Sequence, residues 1–194
     1  MHASGIMGSI LCRIFESLVH SENQDPMTPI FLREFEAKDV EDLFEMDSDP
    51  LVQKFLSGTR TREESENGLF KLIFHRSKMR YGTLAIMLQN KNKVIGYCGL
   101  QPLNGFGYEL FFGLNSKYWG KGYARLAAKL ILETSAPNLS PIYATVNPLN
   151  VRSQRVLESL GFHFDKNIFY EPRNMDHKLY VKRRASIVRE VGKT

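Results

Sequence analysis

The chain has 194 residues, 43% hydrophobic and 24% charged, with a formal net charge of +5. That length supports one domain with its own core, and the balance is that of a globular protein rather than a disordered or collagen-like chain. No run of 18 or more apolar residues is present, which excludes a helical membrane span.

Residues 1–28 form an N-terminal extension by this reading. Ile6, Met7, Ile10, Leu11, Ile14, Phe15 and Leu18 recur at helical spacing and predict an amphipathic helix, followed by a polar linker. Its polar face lacks the Lys and Arg that a membrane-surface helix needs, which favours packing on the body or a start at Met27. Ile30 to Phe35 predicts a strand, and Ala37-Lys38-Asp39 caps a helix to about Met46, with Pro50 at its exit. Arg62 to Met79 predicts a second helix. Thr83–Gln89 and Val94–Gln101 predict a hairpin across the polar turn 90–93, and Gly107–Leu114 the next strand. Tyr123–Thr134 is a helix with a small-residue face of Ala124, Ala127 and Ala128. Pro141–Val146 predicts a strand, and Asn150–Leu160 a helix ended by Gly161. Phe162–Tyr170 and His177–Arg183 close the domain. The order β-α-α-β-β-β-α-β-α-β-β gives an α/β (α+β) sheet with helices on both faces and one βαβ crossover. The domain is expected over 29–184, with a basic tail at 185–194. Residues 173–194 carry seven Lys or Arg against two acids, which is the whole charge excess. Such a tail can meet RNA, a ribosome or another protein partner, or be a solvated end.

The segment Lys117-Tyr118-Trp119-Gly120-Lys121-Gly122-Tyr123-Ala124 lies between a strand and a helix. Two glycines one residue apart allow a tight turn with bare N–H groups, and the following helix aims its positive end at the same spot. This predicts a site for phosphate oxygens. Asn150 is placed to cap the following helix, and Ser153 lies on the same side one turn later. Glu109 shares a strand face with Phe111 and Gly113; a carboxylate in so apolar a strand needs a cleft or a partner. Burial would raise its pKa toward the range of a general base. Gly113 predicts a close approach or a bulge that splays its strand from the parallel neighbour at 142–146. Asp39, Glu41, Asp42, Glu45, Asp47 and Asp49 put six acids in eleven residues, able to draw a cationic amine or simply to solvate a helix face. His75, His163 and His177 show no metal-ligand spacing. The two cysteines, Cys12 and Cys98, fit none either and point to a reducing, cytoplasmic compartment.

The Gly120-x-Gly122 loop, the block Asn150-Val-Arg-Ser153 and Gly161-Phe162, in that order, resemble the acyl-CoA core of the GNAT superfamily of N-acetyltransferases. With Leu43 to Pro50 and Phe55-Leu56 they are similar to the branch of RimJ/RimL-type ribosomal-protein N-terminal acetyltransferases. Lys117 departs from the usual Gln or Arg, and Leu126 from a frequent Glu. The resemblance implies a GNAT fold, a central mixed, mostly antiparallel, splayed sheet. It implies acetyl-CoA as acyl donor and direct transfer to a primary amine in a ternary complex, with no metal. Phe112, Gly113 and Leu114 would receive the thioester carbonyl. Lys117, Trp119, Gly120, Lys121, Gly122, Tyr123 and Ala124 would hold the pyrophosphate, and Asn150 and Ser153 the pantetheine arm. Glu109 would be the base and Ser153 the proton donor to the thiolate, ahead of Tyr170 or Tyr180. The acceptor is a protein N-terminal α-amine or, alternatively, a polyamine or aminoglycoside. A CoA-binding sensor or scaffold without turnover is the alternative from another class.

Overall fold

The computed structural model describes residues 29–78, 81–134 and 139–183. The expected helix and linker over 1–28 and the tail at 185–194 lie outside them. Seven strands form one sheet in the order β1-β2-β3-β4-β5-β7-β6. They are β1 (Ile30–Arg33), β2 (Thr83–Leu88), β3 (Val94–Leu103), β4 (Gly107–Leu114), β5 (Ile142–Val146), β6 (His163–Tyr170) and β7 (Met175–Lys182). Only β4 and β5 run parallel; every other neighbouring pair is antiparallel.

The helices are α1 (Val40–Asp47), α2 (Pro50–Gln53), α3 (Arg62–Lys78), α4 (Tyr123–Thr134) and α5 (Val151–Ser159). Among the described residues none is long and apolar enough to cross a membrane. Pro50 starts the one-turn α2 rather than simply ending α1, because the Asp49 carboxylate accepts from Leu51 N–H (2.8 Å) and Pro fits a first helical position. Thr61 and Glu64 cap α3 reciprocally: Thr61 N–H donates to Glu64, and Glu64 N–H to the Thr61 hydroxyl.

Alternation along the strands divides the core in two. Leu84, Ile86, Ile95, Cys98, Leu100, Leu110, Ile142, Ala144 and Tyr180 pack with Ala127, Ala128 and Ile131 of α4 and Leu157 of α5. Ala85, Met87 and Val94 face the other way, onto Leu43 of α1 and Leu69 of α3. The small residues of α4 let that helix lie close against the sheet. Burial also pushes the Cys98 thiol well above its ordinary value, so it is a core residue without thiolate chemistry.

Candidate active site

The parallel pairing of β4 and β5 holds at Tyr108↔Ile142 and Glu109↔Tyr143 and then ends, so the two strands part into a fork. Asn115 N–H donates to the Ile95 carbonyl (2.9 Å). Odd-numbered residues of β4 therefore spend their backbone groups on β3, and even-numbered ones turn theirs to the fork. Phe112 thus presents its N–H and C=O to the gap with no ladder partner. The Leu114 carbonyl, next along, accepts from Trp119 Nε1 at 2.8 Å.

Glu109 closes the base of the fork. It is 3% exposed. Its Oε1 accepts from Thr145 N–H (2.9 Å) and from the Thr145 hydroxyl, and its Oε2 from Gln101 Nε2 (3.0 Å). Thr145 N–H is the β5 donor that would have reached β4 had the ladder continued, so the carboxylate stands in for the missing carbonyl. Tyr170 joins the group: its phenol is in hydrogen-bonding contact with Thr145, and burial first, then the charge of Glu109, raise its pKa.

The splay has a different origin from the one expected at Gly113. β3 and β4 stay in register through Tyr97↔Gly113 with no bulge. A Cβ on Gly113 would meet the Tyr97 ring at 2.5 Å, so the glycine makes room for that ring, and the fork opens four residues earlier, at Glu109. Tyr97 is half-buried, and the loss of water around its phenol pushes it up to about 12.

Two helix N-termini flank the open end of the fork, α4 following β4 and α5 following β5. Gly120 and Gly122 have φ of 75° and 79°, and a Cβ on either would meet nothing within 4 Å. Left-handed backbone, not crowding, calls for glycine there. Leu126 N–H donates to the Gly122 carbonyl (3.0 Å), the first bond of α4. The N–H groups of Tyr123, Ala124 and Arg125 have no intrahelical partner and point out of the helix end, a cradle for an anion. At α5 the Asn150 side chain accepts from Ser153 N–H at 3.2 Å, the cap expected of it. Ser153 is half-buried beside it.

Both lysines of the loop have partners within the fold. Lys117, 72% exposed, pairs with Glu45 of α1, and Lys121 lies 5.6 Å from the centre of the Tyr118 ring. The cation beside the cradle is one that spacing did not single out: the Arg152 guanidinium sits 4.9 Å from the centre of the Trp119 ring. Trp119 itself packs against the core, tying the loop to β4 and α5. Gln101 and Thr145 were equally unmarked in the sequence, being ordinary polar residues in strands. Tyr180 lies on the α5 face, where its hydroxyl meets Gln154 and Glu158, and is not part of the fork cluster.

The acidic stretch is not an open anionic field. Asp39 takes both guanidinium nitrogens of Arg33 at 2.7 Å, Glu41 pairs with Arg62, and Asp42 accepts from Val94 N–H. Asp47 binds Arg60 and Ser65, and Asp49 accepts from Ser116. Lys117 and then Lys93 hold the Glu45 carboxyl down to about 2. These acids fasten α1 and α2 to β3, α3 and the loop before the cradle. The six-acid motif is a structural clamp.

The sequence model of the acetyltransferase (GNAT) domain matches residues 30–163. An uncharacterized N-acetyltransferase of Bacillus subtilis, YnaD, is 32% identical over 137 residues, 68% of this chain and 78% of that protein. Among solved structures, a GNAT-family acetyltransferase from Bacillus anthracis superposes with a TM-score of 0.70 at 28% identity, over 80% of this chain and 95% of that one. RimL, a ribosomal L7/L12 α-N-protein acetyltransferase in complex with coenzyme A, superposes at 0.69 with 16% identity, over 82% and 96%. The two solved structures share the fold of this chain. The chain belongs to the GNAT acetyltransferase family, and it is an N-acetyltransferase.

Proposed function

We propose that the protein transfers the acetyl group of acetyl-CoA directly to a protein N-terminal α-amine in a ternary complex. The observation that carries this reading is the fork itself, ending at Glu109↔Tyr143 with a carboxylate at its base and unpaired β4 backbone along its side. The pyrophosphate is held by the N–H groups from Gly120 to Ala124, with Arg152 supplying the nearby cation. The pantetheine arm runs up the fork as an added strand, bonding Phe112 and the Asn150 side chain. The thioester carbonyl is polarised by the fork-facing backbone N–H groups of Phe112 and Leu114, on either side of Gly113. The amine enters from the α1–α3 face, on which Glu109, Thr145 and Tyr170 stand.

Buried under three donors, Glu109 meets the amine through Thr145 and Tyr170 or through water, rather than by direct contact. Ser153 is the donor to the departing thiolate, whose conjugate acid has a pKa near ~8.5, so a hydrogen bond suffices. The α-amine is favoured over a polyamine or aminoglycoside because all six acids at 39–49 are engaged within the fold and offer a polycation little free charge.

The test is release of free thiol from acetyl-CoA against peptides with free N-termini, polyamines and aminoglycosides. Release with peptides supports the reading. Release with polyamines alone overturns the acceptor, and tight binding without release on any acceptor overturns the transfer.

A further inference from the structure

His177 lies on β7 and is 4% exposed. Its Nδ1 is the one buried side-chain nitrogen or oxygen among the described residues that has no hydrogen-bond partner. A buried polar atom left unpaired forfeits a hydrogen bond to water, and folded proteins retain few of them without a use. Its place in the sheet points to that use. Thr145 of β5 is registered with Leu179 of β7, and His177 is two residues further along the same face. It is therefore a diagonal neighbour of Thr145, which holds Glu109. Tyr170 stands edge-on to the imidazole, ring centres 4.7 Å apart at 86°, and fixes its plane.

The groups that face His177 are few. Tyr170 comes from β6 and Arg173 from the β6–β7 turn; Lys166 of β6 is turned to the Phe106 ring. Glu109 of β4 acts through Thr145. Its neighbour Lys178 points to the opposite face, where it binds Gln154. Burial, then the charge of Arg173, lower the pKa of the imidazole below its ordinary 6.5, so the ring is neutral at pH 7 and Nδ1 carries a lone pair when Nε2 holds the proton. Arg173 also donates to the Ser57 hydroxyl, between the β6–β7 turn and the segment after α2. The β6–β7 turn, which leads into the strand of His177, is thus held to that segment by an exposed hydrogen bond.

We propose that His177 is a further catalytic residue: with the β6–β7 turn displaced, Nδ1 accepts the hydrogen bond and then the proton of the incoming ammonium. This rests on the transfer reaction proposed above. The proton passes from the ammonium to Nδ1, which frees the nitrogen lone pair to attack the thioester carbonyl. The new N–C bond forms, the C–S bond breaks, the second proton lost by nitrogen goes to the thiolate, and the imidazolium returns its proton to solvent. Glu109 stabilises the imidazolium through Thr145 and Tyr170.

The experiment compares wild type, His177→Asn and His177→Phe with saturating acetyl-CoA and tetrapeptides beginning with serine, alanine or methionine. Asn keeps an acceptor near Nδ1 that does not titrate, and Phe keeps the ring contact with Tyr170. His177→Asn is expected to lower kcat on the order of a hundredfold, the usual share of a general base. It should leave acceptor KM nearly unchanged and abolish the acid limb of kcat/KM below pH 6.5. His177→Phe should also raise acceptor KM. Selective ¹⁵N labelling of histidine reads the same contact without turnover, since peptide added to the CoA-bound enzyme should shift the Nδ1 resonance. An Asn variant that keeps the wild-type kcat and acid limb, with an Nδ1 signal that ignores the peptide, would overturn the inference and leave the transfer reaction standing. A wild type that binds no acetyl-CoA and releases no thiol with any peptide would overturn both.

Discussion

On the side of the fork proposed for the cofactor the candidate parts are backbone. Gly120 and Gly122 hold left-handed conformations, three N–H groups project from the end of α4, and Phe112 offers a bare strand edge. On the side proposed for the acceptor they are side chains from distant segments: Glu109 and Gln101 from β4 and β3, Thr145 from β5, Tyr170 and His177 from β6 and β7. The first side is set by a short stretch of chain and needs only small residues and correct dihedrals. The second exists only once the sheet is assembled, and every one of its polar contacts spans strands. A substitution in the loop should therefore strike binding and spare the fold. One in the cluster should strike chemistry and cost stability together.

The largest expected effect is on the backbone side. Gly122→Val forces a β-branched residue into φ of 79°, with a strain of at least about 1–2 kcal/mol, and sets methyl groups where phosphate oxygens belong. Calorimetric titration should show acetyl-CoA binding lost. The thermal midpoint should fall by about the several degrees that strain implies and no further, because a Cβ there meets nothing in the free protein. A variant that binds as wild type does would remove the cradle from the account.

Next is Glu109→Gln, which should reduce kcat by about two to four orders of magnitude while acetyl-CoA affinity changes little. Unlike a surface base, Glu109 should also affect the fold. An amide can satisfy Thr145 N–H, and the exposed Gln101 amide can turn its oxygen to the new NH2, so the loss is that of charge-assisted for neutral hydrogen bonds, about 1 kcal/mol in unfolding free energy. Thr145→Val sharpens the comparison. It keeps shape and removes one hydroxyl contact with Glu109, so denaturant unfolding should report about 0.5–1.5 kcal/mol, with a loss of kcat at unchanged acetyl-CoA affinity.

The smallest effect belongs to the clamp. The Glu45 carboxyl is held at about 2 in the folded chain against an ordinary 4.5. Its contribution is fully present above pH 4.5, where the unfolded carboxylate is ionised, and is lost as pH falls through about 2. At neutral pH Glu45→Gln should remove about 0–1 kcal/mol by denaturant titration, and the difference from wild type should vanish in acid. His177 has the same sign by another route: its lowered pKa makes the fold less stable as pH drops below 6.5.

The same contrast explains what could be read from the sequence. Tyr123–Thr134 is helical over the residues its pattern predicts, and Asn150 caps α5 as its position implies, because both are local properties of consecutive residues. Gly120-x-Gly122 was legible because a left-handed backbone leaves a chemical trace, the missing side chain. Glu109 stood out as a charge in an apolar strand, but its partners did not, since Gln101 and Thr145 carry no mark until register aligns them. The acids at 39–49 read as a lure for cations or as a solvated helix face; only tertiary pairing with Arg33, Lys93, Arg60 and Lys117 turns them into a clamp. Gly113 signalled a close approach, and the approach is that of Tyr97, which no local pattern names.

The most direct test of direct transfer at the fork is to mix the protein with acetyl-CoA alone and then with a free-N-terminus peptide, following thiol release and the mass of both polypeptides. The account predicts no release until the peptide is added, then one thiol for each acetylated peptide and an enzyme of unchanged mass throughout. One thiol released per chain before any peptide is present, with an acetyl adduct on the protein, would contradict it.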